Sequence, residues 1–366
     1  MAESLYLGLI SGTSRDGVDA ALVSFEEGQP NLLHAFCQPY PAAIRADLDR
    51  MIEAGRAPDP GKAAALDELL GRFFARCAME LADEAGVERR DIRAIGCHGQ
   101  TVWHQPGGER PVSMQLGSGS VIARTTGITT VTDFRRADLK AGGQGAPLAP
   151  LLHRELFHSG EEHRAVLNLG GIANLTLLDT DGGVQGFDTG PGNCLLDAWI
   201  RQCHDQAYDE GGAWAASGTV SADLLERLLE DPYFEKQPPK STGLEHFNLH
   251  WLLQRIGESE LATADVQRTL VELTVESIAR ALGGQQPERL LVCGGGVHNA
   301  FLMARLKDRL GDYPVESTAD HGVDPDWVEA ILFAWLARER VAERKLDTGP
   351  ITGARQPVLL GKIHGV

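Results

Sequence analysis

A pattern that occurs twice constrains this chain more than any other feature of its sequence. "LYLGLIS" (Leu5–Ser11) and "VDAALVSF" (Val18–Phe25) are apolar runs separated by a glycine-bearing turn, and "NLLHAFCQPY" follows as a third run. Such runs read as strands, the first two as an antiparallel pair. "RAVLNLGGIANLTLLD" (Arg164–Asp179) with "VQGFD" repeats the arrangement in the second half. From just after Pro60 to Gly86, apolar residues recur at three- and four-residue spacing, which predicts a long amphipathic helix. A strand at "DIRAIGCHGQTVWH", a helix at "SVIARTTG" and a strand at "ITTVTDF" complete the first half. In the second half the same places fall to a helix opening near Pro191 ("NCLLDAWIRQC"), a helical region over Val266–Leu282, the strand "RLLVCGGG" and the helix "NAFLMARLKDRL". The final strand there carries the weakest signal. Three strands, helix, strand, helix, strand in each half predicts an α/β fold of two similar lobes. Each lobe is then a mixed five-stranded sheet with helices, and a cleft lies between them. The seam falls near residue 160 in the polar "HSGEEH", giving lobes 1–160 and 161–366, with the last ~15 residues packing back on the first.

Composition narrows the partners. The formal net charge is −17, from 34 basic and 51 acidic residues, which argues against nucleic acid or an anionic membrane surface. Six cysteines occur without a CxxC pair, so neither a zinc framework nor a disulfide framework is expected. The amino terminus has no secretory pattern, and "VEAILFAWLA" is about half the length of a membrane span. A cytoplasmic enzyme is the expectation.

Three glycine-bearing turns carry candidate chemistry. In "GLISGTSRDGVDAALV", Gly12, Thr13, Ser14 and Gly17 offer bare amides and hydroxyls to an anion, with Val18 leading into the next strand. Asp16 and Asp19 add hard oxygens suited to Mg2+, directly or through water. A polar hairpin turn is the plain alternative. In "NLGGIANLTLL", Asn168, Gly170, Gly171 and Asn174 occupy the equivalent hairpin. In "LLVCGGGVHNAFLMARL", Gly294, Gly295 and Gly296 join a buried strand to a helix opened by Asn299. There a flat ring can lie against backbone, and a helix amino terminus favours phosphate. None of the three matches a P-loop or a strand-coupled GxGxxG.

Two phosphate hairpins plus a late adenosine turn resemble the superfamily of acetate and sugar kinases, heat-shock ATPases and actin, in which ATP lies between two lobes. "SGTSRDGVD", "GCHGQTVWH", "DFRRADLKAGGQGAPLAP", "NLGGIANLT", "GFDTGPGNCLLDAW", "KSTGLEHFN" and "CGGGVHNAFLMARL" are similar, in order and over nearly the whole chain, to the anhydro-N-acetylmuramic acid kinase family. The resemblance implies ATP and Mg2+ as cofactors, an anhydro amino sugar as substrate, and a homodimer. It implies hydrolytic opening of the 1,6-anhydro ring with phosphorylation of the released 6-oxygen. Arg15 departs from the family, which carries an apolar residue there. It either touches ATP or faces solvent, and no catalytic role falls to it.

"GFDTGPGN" surrounds Asp188 with Gly186, Gly190 and Gly192, and its residues alone leave a turn cap, a metal ligand or a base open. The glycines read as clearance for a sugar, and a helix start with Pro191 in its first turn would favour the ionised carboxylate. The family's general base is the aspartate of this motif, so the resemblance implies Asp188. Glu329 interrupts the apolar "VEAILFAWLA" and is either paired in the core or aimed at the cleft, which the resemblance favours as a supporting acid. Even spacing puts His98, Gln100, Val102 and His104 on one face of a strand, the first two as sugar ligands and His104 as a structural edge residue. Asp133 and the adjacent arginines precede a glycine-rich loop. An arginine fork suits the lactyl carboxylate of a muramic acid, with Arg135 preferred to Arg136. His246 and His250 stand four residues apart, but with no third ligand at a suitable spacing they do not make a zinc site.

An ordinary hydroxyl-directed sugar kinase and a non-catalytic nucleotide-dependent regulator are the alternatives. Against the regulator, the phosphate turn begins so early that no amino-terminal DNA-binding module precedes it. A glycosidase leaves both phosphate hairpins without a purpose.

Overall fold

The computed structural model describes residues 4–12, 15–26, 29–54, 56–283 and 287–366, so Thr13 and Ser14 lie outside the described residues. Its strands are β1 (Leu5–Ser11), β2 (Gly17–Glu26), β3 (Gln29–Pro39), β4 (Ile92–Gln105), β5 (Val112–Leu116) and β6 (Thr130–Thr132). They continue with β7 (Arg164–Leu169), β8 (Ile172–Leu178), β9 (Val184–Pro191), β10 (Arg289–Cys293), β11 (Val315–Ser317) and β12 (Lys362–His364).

The chain divides into two compact units, Met1–Leu156 with Trp327–Val366, and Phe157–Asp326. The first sheet runs β12-β6-β4-β1-β2-β3, and the second β11-β10-β7-β8-β9. Directions match as well as order. β1, β2 and β3 are antiparallel neighbours, while β4 and β6 add in parallel. β7, β8 and β9 are likewise antiparallel, and β10 and β11 add in parallel. The repeated pattern of the sequence is therefore a repeated topology, the actin-like ATPase and sugar-kinase plan that the resemblance implies. The first sheet differs from the expected five strands by having seven. β4 runs on into a hairpin with β5, and β12 joins antiparallel to β6 at the edge.

In the first unit the helix Pro60–Glu84 covers one face of the sheet, its buried Leu66, Leu70, Phe74 and Leu81 sharing a core with Leu7, Leu9 and Leu22. The opposite face holds the helix Val328–Val341, whose run from Ala330 to Ala337 is wholly buried. Side chains alternate across a strand, so Gly8 faces this helix while Leu7 and Leu9 face the other. A Cβ on Gly8 would lie 1.8 Å from Ala330 O, and one on Gly96 1.9 Å from Phe333 O. Those two glycines let the helix backbone rest on β1 and β4. That contact draws residues 327–366 into the first unit, whereas the sequence expectation carried the second lobe to residue 366. In the second unit, helices Cys194–His204, Thr263–Leu282 and Ala300–Leu310 pack Leu195, Trp199, Leu270, Leu273 and Leu302 against Leu167, Leu169, Leu175 and Phe187.

Candidate active site

At the β1–β2 turn, the first unit holds its hairpin by Arg15 N–H donating to Gly12 O (3.3 Å) and Tyr40 N–H donating to Asp16 O (2.9 Å). Asp16 is exposed at the turn, whereas Asp19 lies inside β2, opposite Ile10 and Cys37. Gly17 and Val18 also belong to the sheet. A Cβ on Gly17 would meet Gln38 O at 2.5 Å, and Val18 is fully buried. Arg15 sits at φ 57° and ion-pairs with Asp49 at 3.0 Å, so its guanidinium is engaged within its own unit.

β4 does not keep the even spacing expected of His98, Gln100, Val102 and His104. Cys97 pairs with Leu9, but the next β1 position on that face, Ser11, pairs with Gln100. Gly99, at φ 77°, absorbs the extra residue as a bulge. Gln100 thereby leaves the face of His98 and joins that of Cys97. There it accepts from Ser11 Oγ (2.6 Å) and donates to Gly12 O (3.1 Å), tying β4 to the β1–β2 turn. His98 is buried against the Phe333 ring, with centroids 4.7 Å apart. Its Nδ1–H donates to Gly99 O (3.0 Å) and its Nε2 accepts from Arg135 Nε–H (3.2 Å). A carbonyl partner on one nitrogen and a cation on the other fix a neutral imidazole. Burial first, then the Arg135 charge, hold its pKa well below the ordinary histidine value.

Arg135 is thus placed beside His98, while Arg136 is exposed and pairs with Asp133 at 3.0 Å. Burial pushes the Asp133 carboxyl up, against the pull of Arg136. His104 has its own partner, Ser113 Oγ, at 2.9 Å. Glu329 is half-buried in the first turn of the helix Val328–Val341, four residues before Phe333, so it shares the helix face that stacks on His98.

The second unit supplies a row of polar residues. Asn168 in β7 pairs with Asn174 in β8, which pairs with Asp188 in β9. Directly opposed residues share a face, so three polar side chains cross the sheet side by side. Asn174 Oδ1 is a buried acceptor with no hydrogen-bond partner among the described residues. At the β7–β8 turn the carbonyls point inward. Leu169 O accepts from Asn193 Nδ2 and Gly170 O from Asn193 N–H, both at 2.9 Å. Gly171 O accepts from Gly192 N–H (2.9 Å) and Cys194 N–H (3.0 Å). A planar trans peptide turns its N–H the other way, so the Gly170 and Gly171 amides face away from β9 and out of the turn.

Asp188 is buried in mid-strand. Its N–H donates to Lys240 O (3.1 Å), its carbonyl accepts from Tyr233 Oη–H (2.8 Å), and its Oδ2 accepts from Thr242 N–H (2.9 Å). Lys240 is itself buried, with Nζ 4.8 Å from the Tyr233 ring centroid. Burial lowers its pKa, and the charge of Asp188 opposes that fall. Two sequence expectations change here. Pro191 is the last residue of β9 and the helix begins at Cys194, so Pro191 does not open it and Asp188 stands inside the strand. The glycines serve packing: a Cβ on Gly190 would meet Phe234 at 2.7 Å, and one on Gly192 would meet Gly170 O at 2.4 Å.

The third turn separates its three glycines. A Cβ on Gly294 would lie 2.3 Å from Asn168 Oδ1 and one on Gly296 2.6 Å from Leu169 Cβ, while one on Gly295 meets nothing within 4 Å. Gly294 and Gly296 therefore permit close approach to β7, and Gly295 is the position with open space. A 3-10 turn, Gly295–His298, precedes the helix Ala300–Leu310, which Asn299 caps through Oδ1 and Leu302 N–H (2.9 Å). His246 precedes the helix Leu249–Ile256 and pairs with Asp231 at 3.1 Å, while His250 bonds to Gln254. Among the described residues no cluster of three histidine, cysteine or acidic side chains is arranged to hold a metal.

A family model described as anhydro-N-acetylmuramic acid kinase matches residues 4–365. The chain belongs to that family. A protein of this description from Xanthomonas axonopodis pv. citri is 50% identical over 365 residues, covering 98% of each chain. Another, from Pasteurella multocida, is 46% identical over 367 residues, 99% of this chain and 97% of its own. A third, from Vibrio cholerae serotype O1, is 46% identical over 372 residues, 100% of this chain and 99% of its own. Within this family member, sequence reasoning missed Lys240, Tyr233 and Thr242 as the surroundings of Asp188, and Asp138 beside Arg135. A lysine within "PPKSTG" and an aspartate before "GGQG" carry no periodic signal; only the fold shows that they are buried. No helix among the described residues is long and apolar enough to cross a membrane.

Proposed function

We propose that the protein is an ATP-dependent kinase that opens the 1,6-anhydro ring of anhydro-N-acetylmuramic acid with water and phosphorylates the released 6-oxygen. The products are N-acetylmuramic acid 6-phosphate and ADP, in cell-wall recycling. The observation that carries this reading is Asp188, a carboxylate held by a backbone amide in a polar row beside Asn174 Oδ1, an acceptor without a partner among the described residues. A water molecule accepted by that pair would donate one proton to Asp188 as its oxygen attacks the anomeric carbon. The bond from that carbon to the 6-oxygen breaks, and the oxygen takes the γ-phosphoryl group as ADP departs. No second carboxylic acid has to protonate the leaving oxygen, unlike ordinary glycoside hydrolysis. Glu329 supports the sugar site as an acid, on the helix face of Phe333, whose ring packs against His98. Arg135, aligned by His98, holds the lactyl carboxylate.

Each unit carries a turn suited to ATP phosphates, β1–β2 in the first and β7–β8 in the second, and the open face at Gly295 takes the nucleoside. Mg2+ kept mainly by phosphates and water needs only one or two protein carboxylates, and exposed Asp16 fits that share. When bound it neutralises phosphate charge during transfer. Cytoplasmic location and a homodimer belong to the same reading, the latter open to sedimentation. Purified protein with anhydro-N-acetylmuramic acid, ATP and Mg2+ should yield ADP and a 6-phosphorylated sugar in equal amounts. ADP without phosphorylated sugar would sink the proposal.

A further inference from the structure

Asp138 is a fully buried carboxylate that the chemistry above does not use. It accepts hydrogen bonds from Thr348 Oγ1, Thr352 Oγ1 (2.7 Å) and Gly145 N–H (2.7 Å). The two threonines come from the carboxyl-terminal segment, more than two hundred residues away in sequence. Gly145 closes the glycine-rich loop that follows Arg135. The loop wraps the carboxylate closely: a Cβ on Gly143 would lie 2.2 Å from Asp138 Oδ2 and 2.6 Å from Thr352 Oγ1. Backbone bonds repeat the link, from Gln144 N–H to Thr352 O (3.0 Å) and from Arg355 N–H to Ala141 O (2.9 Å).

The other side of this clamp touches the arginine. Leu139 N–H donates to Arg135 O (3.1 Å). Gly145, at φ 74°, sits so close that a Cβ there would be 3.3 Å from Arg135 Cβ. Arg135 in turn donates to His98. A continuous set of contacts therefore runs from Thr348 and Thr352 through Asp138 and Gly145 to Arg135 and His98. All of it lies in one unit.

We infer that Asp138, clamped by Thr348 and Thr352, is a positioning residue that sets the protein's preference for a sugar bearing a carboxylate, by fixing Arg135. The inference rests on the kinase reading and on Arg135 as the carboxylate's partner. Buried carboxylates that accept several donors hold geometry firmly, because loss of any one donor leaves a desolvated charge short of a partner. The carboxyl-terminal segment thus contributes to sugar choice without touching sugar.

The test compares two sugars and two variants of Thr352. Thr352→Val removes one hydroxyl at constant shape, and Thr352→Ser restores it. In the valine variant the KM for anhydro-N-acetylmuramic acid should rise about tenfold, the scale of one weakened charge-assisted bond. The inhibition constant of 1,6-anhydro-N-acetylglucosamine, which lacks the lactyl carboxylate, should stay within about twofold, as should the KM for ATP. The serine variant should return both sugars to wild-type behaviour. Equal weakening of both sugars, an unchanged muramic KM, or no rescue by serine would overturn the inference. If Thr352→Val does not fold, Asp138→Asn with the same pair of sugars decides it, since its amide keeps acceptors for the threonines and loses only the Gly145 bond. A wild-type protein inactive on the muramic sugar would sink the kinase reading itself, and this inference with it.

Discussion

Replacing Asp188 by asparagine separates chemistry from scaffold, because two of this residue's hydrogen bonds are made by its backbone rather than its carboxylate. These are N–H to Lys240 O and carbonyl from Tyr233 Oη–H, and both survive the change. The third, Thr242 N–H to Oδ2, can pass to the amide oxygen in one rotamer. The charge-assisted bond from Thr242 N–H weakens, by about 1 kcal/mol relative to a neutral one. Buried Lys240 also loses a nearby opposite charge. A fall in Tm of a few degrees is therefore expected, with the fold retained. The catalytic loss should be much larger. An amide cannot take the proton of the attacking water, and a positioned base is worth roughly 10²- to 10⁴-fold, or about 3 to 5 kcal/mol of barrier. Steady-state release of ADP in the presence of sugar should fall by at least ~10²-fold. Nucleotide affinity, measured by calorimetry, should change by less than about threefold, near 0.6 kcal/mol. A folded variant that kept most of its kcat would refute the base assignment. A loss of nucleotide binding as large as the loss of kcat would show that Asp188 serves the scaffold.

Three further outcomes follow from particular contacts. Gly296→Ala should lower Tm by several degrees, because overpacking against Leu169 costs about 1–3 kcal/mol. Gly295→Ala, which meets nothing, should leave Tm unchanged and weaken nucleotide binding; equal Tm losses in a melting series would contradict this. Burial depresses the pKa of His98, and of His104 and His153 to about 3, so all three are neutral in the folded protein at pH 7. The unfolded chain takes up protons below about 6.5 that the folded one refuses, so stability present above that pH is lost as pH falls. The slope is up to about 1.4 kcal/mol per pH unit for each histidine. Denaturant midpoints that stay flat between about pH 7 and 5 would oppose that sign. Asp16→Ala should reduce the Mg2+ dependence of nucleotide binding, and an unchanged dependence would remove Asp16 from the site.

The fold was legible where burial leaves a periodic trace. β1 and the helix Pro60–Glu84 stand where their apolar spacing puts them, to within a residue or two. β5 and β12 left little trace, since half-buried and edge strands need no apolar run. Within the helix Val328–Val341 the run from Ala330 to Ala337 is apolar all round, so its sequence marks it as buried without naming its partner. That partner is chosen by Gly8 and Gly96, whose significance appears only when the helix backbone is seen resting on them. The β1–β2 and β7–β8 turns could be placed from their glycines and asparagines, but the reasons for individual glycines could not. Gly190 and Gly192 resemble clearance for a ligand in sequence, and in the fold they make room for Phe234 and for Gly170 O. Alternation along β4 failed at Gly99, where one inserted residue moved Gln100 to the other face.

The proposed reaction requires that water open the sugar ring in the same turnover that phosphorylates it. Turnover of anhydro-N-acetylmuramic acid with ATP and Mg2+ in oxygen-18 water, followed by mass spectrometry of the sugar phosphate, tests it directly. Hydrolytic ring opening should leave one label per product at the anomeric position and none in the phosphate. A phosphorylated sugar without anomeric label, or with its label in the phosphate, would contradict it.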